Sequence, residues 1–260
     1  MNYFVEGLQG SGKSTLAKLL AEKHPDHKAL EEGDYSPVEL SWCAYMGMDD
    51  YQRALTQFPD LRPEIEAKSH RENDRMVVCY TKIHTDNSGF YRTIEEYEIY
   101  NNRITFDAFR NIILTRYRSW KEENLIVECS LFQNIVEDMI LFRCLNDEEF
   151  IAFYHEIKEA VSHQEIKIAY LRTAPDDIRK NLETARKNRT DENGNEVWFH
   201  MLCDYFDHCP YAEMNRLHGA DGLTRHWRHR QELELRICKE VFPGQYEIFP
   251  SKAYDESLLI

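Results

Sequence analysis

Two hydrophobic periods alternate along the chain. Residues 2–6 form a short apolar run of strand length, and residues 13–23 repeat apolar positions at helical spacing just after a group of glycines. Residues 28–32 predict a second strand ending at Gly33. From 36 to 120 the pattern is mostly helical and aromatic. It is interrupted by a strand-like run over 76–83 and by the turn Asp86-Asn87-Ser88-Gly89. Further on, Leu125-Ile126-Val127 predicts a compact strand, 132–145 and 149–161 predict helices, and 166–171 predicts another strand. Pro175 opens a charged helix to about 187, Asp191-Glu192-Asn193-Gly194-Asn195 reads as a turn, 224–241 as a long helix and 246–249 as a last strand. Strands alternating with helices predict an α/β domain, a parallel sheet of about five strands with helices on both faces. There is no internal repeat and no low-complexity linker, so 1–260 is expected to be a single domain, with 34–120 as an insertion in it.

The strongest local signal joins the first strand to the first helix. Gly7-Leu8-Gln9-Gly10-Ser11-Gly12-Lys13-Ser14, followed by Thr15, fits the pattern G-x-x-x-x-G-K-[ST]. Glycines let the backbone turn tightly so that successive N–H groups point inward at phosphates, and the helix beginning near Lys13 adds its positive end. The expectation is a nucleotide site for ATP with Mg²⁺, built from Gly7, Gln9, Gly10, Ser11, Gly12, Lys13, Ser14 and Thr15. In it Lys13 reaches the β- and γ-phosphates and Ser14 ligates magnesium. A carboxylate at the end of a neighbouring buried strand completes such a metal site, and Glu128, directly after Val127, fits that place. The plainer readings are a Gly/Ser-rich linking turn and a strand-terminal acid facing solvent.

With Glu6-Gly7 leading into it, this loop resembles that of the P-loop nucleoside and nucleotide kinases, especially the deoxynucleoside kinase and thymidylate kinase branch. Pro37-Val38 with Trp42 beyond is similar to a Glu-Pro-Val…Trp segment of that family, Glu128-Cys129-Ser130 to its Glu-Arg-Ser, and the Arg-rich stretch 179–189 to its lid. The resemblance implies a P-loop NTPase three-layer fold with a helical lid over about 175–195, and an ATP-dependent phosphotransferase. Two positions depart from it: Cys129 replaces the family's arginine, and Ser36 stands where its catalytic glutamate precedes Pro-Val. The resemblance therefore covers the ATP half, while the acceptor half has few matching residues.

A hydroxyl acceptor needs a carboxylate to take or orient its proton. Glu31, Glu32 and Asp34 follow the second strand, and Asp34 is the first choice because it lies just past Gly33, with Glu32 second. Tyr35, Trp42, Tyr45, Tyr80, Phe90, Tyr91, Tyr97 and Tyr100 supply aromatic surface that serves either stacking or core packing. Arg92, Arg103, Arg116 and Arg118 are candidates for the arginine missing at Cys129. Arg179 and Arg186 lie seven residues apart on one helix face, with Arg189 three further on. Arg186 and Arg189 are expected to stabilise the transferring phosphoryl group from the lid. The alternative is a solvated basic helix face. The segment 226–229, with its two histidines, reads as helix packing and surface.

Composition narrows this picture. A formal net charge of −14 opposes a broad nucleic-acid footprint. No run approaches the roughly 18 consecutive apolar residues of a membrane span. The first residues lack a basic start and a long apolar stretch, so no signal peptide is expected and the expected compartment is the cytoplasm. The seven cysteines form no Cys-x-x-Cys pair and are expected to be free thiols. The group His200, Cys203, His208 and Cys209 has no zinc spacing and is read as helix packing. The partner expected is therefore a small-molecule acceptor, hydroxylated or phosphorylated, a nucleoside or nucleotide among the candidates. No nucleic acid and no membrane is expected, and homodimerisation stays open. The alternative function is a non-kinase P-loop NTPase or a nucleotide-binding regulatory module. A GTPase is disfavoured because no Asn-Lys-x-Asp guanine reader is present.

Overall fold

The computed structural model describes residues 1–253. Its elements run in chain order as β1 (Asn2–Gly7), α1 (Lys13–Lys23), β2 (Lys28–Leu30), β3 (Ala44–Gly47), α2 (Met48–Gln57), α3 (Arg62–Ala67), β4 (Ser69–Glu72), β5 (Arg75–Val78), α4 (Ser88–Ile94) and α5 (Phe106–Ser119). They continue as β6 (Leu125–Glu128), α6 (Gln133–Glu137), α7 (Asp147–Ala160), β7 (Ile166–Arg172), α8 (Pro175–Asn188), α9 (Val197–Asp207), α10 (Pro210–Asn215), α11 (Gly219–Val241) and β8 (Tyr246–Pro250). Among the described residues two compact units result: 1–29 with 121–253, and Leu30–Trp120.

The first unit is α/β, with a five-stranded parallel sheet in the order β2-β6-β1-β7-β8 and helices flanking it. β1 is buried along its whole length, as a central parallel strand covered on both faces must be. Its alternating side chains serve two cores. Tyr3 and Val5 join Ile126, Ala169, Leu171 and Phe249 against Leu16 and Leu20 of α1. Each fully buried leucine there contributes about 1.5–3 kcal/mol. Tyr170, between Ala169 and Leu171, points to the other face, where its ring lies 6.2 Å from Phe132, itself 5.6 Å from Tyr154 of α7. α7 starts in a full capping box, Asn146 with Glu149. No helix among the described residues is long and apolar enough to cross a membrane.

The predicted helix over 132–145 divides. α6 is followed by a π turn at Asp138–Phe142, where Arg143 N–H reaches Asp138 O at 3.1 Å. The same five-residue spacing pairs the buried side chains Asp138 and Arg143 at 2.5 Å, so the wider helical turn brings two opposite buried charges together. The region 197–215, whose His200, Cys203, His208 and Cys209 read as helix packing, carries α9 and α10.

The second unit departs most from its sequence pattern. Instead of one strand-like run over 76–83 among helices, it holds an antiparallel sheet in the order β3-β5-β4. β5 stops at Val78, and Tyr80–Lys82 is a 3-10 turn. Its core gathers Met46, Tyr51, Leu55, Ile65, Val78, Ile83, Phe90 and Ile94. The Asp86–Gly89 turn is an N-cap: Asn87 Oδ1 accepts from Gly89 N at 3.0 Å and Phe90 N at 3.2 Å and so starts α4.

Candidate functional site

The loop between β1 and α1 owes its path to glycine. Gly7 has φ 141°, and a Cβ there would sit 2.6 Å from Leu171 O, so no other residue fits beside β7. Gly12 (φ 101°) is the left-handed residue that turns the chain into α1. α1 has no side-chain cap, so its first-turn N–H groups face out of the helix without a side-chain acceptor. Ser11 N–H donates to Leu8 O at 3.2 Å, while the Ser11 hydroxyl is buried with no hydrogen-bond partner. The Lys13 ammonium, buried, folds over the loop and donates to Gly7 O and Leu8 O, both at 3.0 Å. Ser14, exposed on the first turn, donates to Glu128 Oε1 at 2.9 Å. That contact follows from the register: Glu128 pairs with Val5 in the sheet, bringing the end of β6 level with the end of β1. The next residue, Cys129, is buried at φ 62° and donates its N–H to Val5 O, a strained turn for a non-glycine residue.

Beneath the loop lies a polar network not legible in the sequence. Arg230 of α11 is fully buried and donates to Glu234 Oε1 (2.7 Å), Glu137 Oε1 (2.5 Å), Gln9 Oε1 (3.0 Å) and the Gly7 carbonyl (3.3 Å). One guanidinium thus ties two loop residues to two carboxylates. Gln9 presents its side-chain carbonyl to this network. Tyr170 O–H donates to Glu234 at 2.6 Å, and His226 Nε2 meets Glu137 at 2.6 Å. Burial works to raise the Glu137 carboxyl, but His226 and Arg230 together outweigh it and hold the group at about 2. Glu6 behaves oppositely. Burial pushes it up to about 8, only partly offset by the Leu131 N–H that donates to its Oε1 at 2.7 Å. His226, read from the sequence as packing or surface, is fully buried in this network.

The arginine-rich segment is α8 and the turn after it. Ile178 and Leu182 are buried and seat the helix. Arg186 pairs with Glu196 at 2.6 Å and lies over the Phe199 ring at 4.7 Å, and Arg189 lies over Trp198 at 4.5 Å. Arg179 pairs with Glu183 at 3.0 Å and Asp221 at 2.5 Å. Their partners thus belong to α8, α9, α11 and the connecting turn. The residue of α8 beside the loop is Asn181, whose Cβ would lie 3.7 Å from a Cβ built on Gly10 and whose Oδ1 accepts from Lys252 Nζ at 2.7 Å.

In the second unit, half-buried Asp34 accepts from Glu31 N at 3.0 Å and pairs with Lys82 Nζ at 3.1 Å. Glu32 accepts from the Trp42 indole at 2.9 Å. Arg116, one of the candidate replacement arginines, is buried and holds Glu72 and the carbonyls of Ser36 and Val38, an anchor for the 36–38 turn. Arg103 pairs with Glu95 at 3.5 Å. A carboxyl the sequence did not single out, Glu39, takes Leu40 N, Ser41 N and Tyr100 O–H on one oxygen, and burial lifts it to about 7.

No protein-family model matches the chain, and no curated protein matches it.

Proposed function

We propose that the chain is an ATP-dependent phosphotransferase that uses magnesium and acts on a small hydroxylated or phosphorylated acceptor. The observation that carries this reading is an uncapped helix N-terminus entered through left-handed glycines, with Lys13 and the Ser14–Glu128 pair beside it. Such an end concentrates outward N–H groups and partial positive charge, which favours a phosphate chain. The Ser11 hydroxyl, buried and without a partner, is a further donor in the same loop.

The Ser14 hydroxyl and the Glu128 carboxylate are hard oxygen donors 2.9 Å apart, the chemistry Mg²⁺ prefers. When bound, Mg²⁺ neutralises charge on the phosphate oxygens. Lys13 exchanges its two loop carbonyls for phosphate oxygens, a charge-assisted bond in place of neutral ones. Arg230 keeps Gly7 and Gln9 in position by holding a backbone carbonyl and a side-chain amide from below. Asp34 takes the acceptor's hydroxyl proton, and Arg186 and Arg189 leave Glu196 and the aromatic rings to meet the developing charge as the lid closes.

Calorimetric titration with MgATP tests the first half: Lys13→Ala is expected to abolish tight binding with the fold intact, and equal affinity in both proteins refutes the reading. A screen of ATP consumption against nucleosides, nucleotides and hydroxylated antibiotics tests the second. Binding without transfer to any acceptor would favour a nucleotide-binding module, the reading that the buried Cys129 in place of an arginine supports.

A further inference from the structure

The turn joining α1 to β2 brings together three side chains that the loop site does not use. His24, Asp26 and His27 each present a ligand-type atom, all within 4.8 Å of one another, and no other such group occurs among the described residues. We propose that His24, Asp26 and His27 bind a divalent transition-metal ion of the zinc class, independently of the nucleotide site.

Each of the three is held by a partner from a distant part of the chain. His27 Nε2 lies 3.1 Å from the Met1 carbonyl, a contact only an N–H can make, so Nδ1 carries the lone pair in the neutral ring. That Nδ1 faces Asp26 Oδ1 at 3.1 Å. The other carboxylate oxygen of Asp26 accepts from Asn124 Nδ2 at 3.2 Å, which orients it. His24 Nε2 lies 3.4 Å from the Tyr3 hydroxyl, and its ring packs 5.0 Å from that of His27. The backbone is closed too, with His27 N–H donating to His24 O at 2.9 Å. Ligands braced by carbonyl, amide and hydroxyl neighbours are the arrangement of metal centres, where such outer partners set tautomer and orientation.

Two imidazoles and one carboxylate select zinc, cobalt, nickel or copper over magnesium and calcium, and three protein ligands leave a position for water. Bonds of about 2.0–2.2 Å need ligand atoms about 3.3–3.6 Å apart, so side-chain rotations moving them by about an ångström complete the site. The plainer account is an Asp26–His27 ion pair that stabilises the turn. It needs neither His24 nor a metal.

Titration of the metal-free protein with CoCl₂ and ZnCl₂, followed by calorimetry and visible Co²⁺ absorption, separates the two. One saturable site per chain is expected, unaffected by excess MgCl₂ and lost in His24→Ala and His27→Ala. Asn124→Gly, which tolerates the φ of 57° at that position, should weaken binding about 10-fold. Absence of saturable binding overturns the proposal, as does binding that survives both histidine variants. Loss of binding in His200→Ala with Cys203→Ala, but not in the turn variants, also overturns it by moving the metal to α9. Should a variant fail to fold, sub-stoichiometric Co²⁺ on the unaltered protein must broaden the His24 and His27 ring protons before all other histidines, and any other order refutes the site.

Discussion

Replacing Glu6 with glutamine removes a titration that folding makes unfavourable. Glu6, next to last in β1, is fully buried, with Oε1 on the Leu131 N–H and Oε2 without a hydrogen-bond partner. Its carboxyl stands at about 8 against an ordinary 4.5, because burial disfavours the charge more than Leu131 and Lys13 favour it. A carboxyl whose folded value lies above its unfolded value holds its proton more tightly in the fold. Its contribution to stability is complete below about 4.5 and is lost as pH rises to about 8. The 3.5-unit difference (8 − 4.5) at about 1.36 kcal/mol per unit amounts to roughly 5 kcal/mol over that window. Titration is half complete at the upper end, so the loss between pH 6 and pH 8 is about 2 kcal/mol. The substituted glutamine keeps a carbonyl for Leu131 but cannot titrate. Urea unfolding of both proteins at pH 6, 7, 8 and 9 should therefore show the stability difference moving by about 2 kcal/mol in favour of Glu6→Gln from pH 6 to pH 8, then levelling off. Glu39, at about 7, titrates in both proteins and cancels in the difference. The glutamine N–H₂ in place of an unpartnered oxygen displaces the curve vertically without changing its slope. Parallel stability curves across this range would refute the reasoning.

Arg230→Met should destabilise by about 3–5 kcal/mol, because it leaves Glu234 buried without its cation and Glu137 with His226 alone, and adding Glu234→Gln should recover part of the loss. A loss below about 1 kcal/mol in urea unfolding would show the network to be dispensable. Glu128→Gln should cut phosphoryl transfer by orders of magnitude while leaving the thermal midpoint nearly unchanged, since its contact with exposed Ser14 contributes little to stability. Full turnover would assign the metal to another acid. Asp34→Asn should lose transfer with normal MgATP affinity, and unchanged kcat would move the proton-accepting role to Glu32 or Glu39.

The sequence by itself determined the elements whose periodicity is long or whose chemistry is local. β1, the glycine loop and α1 follow from an apolar run, glycines at turning points and a helical repeat. α7, β7, α8 and β8 appear within a residue or two of their expected bounds. Tertiary structure decided the rest. β3 and β4 have four residues each, and Ser69–Glu72 is polar throughout, so only pairing with β5 makes a strand of it. The strand order β2-β6-β1-β7-β8 depends on long-range pairings such as Ile168 with Tyr246 and Asn2 with Ile166, and it brings Ser14 against Glu128, 114 residues away. Arg230 directly follows the segment 226–229, which reads as helix packing and surface. Its burial becomes tolerable only because Glu137 and Glu234 arrive from elsewhere in space and on the helix. Arg186 lies on α8 and Arg189 just past its end, and their partners are Glu196 and the rings of α9. Backbone propensity acts over a few residues. Strand register and the pairing of Arg230 with Glu137, 93 residues away, act across the fold, beyond the reach of one sequence window.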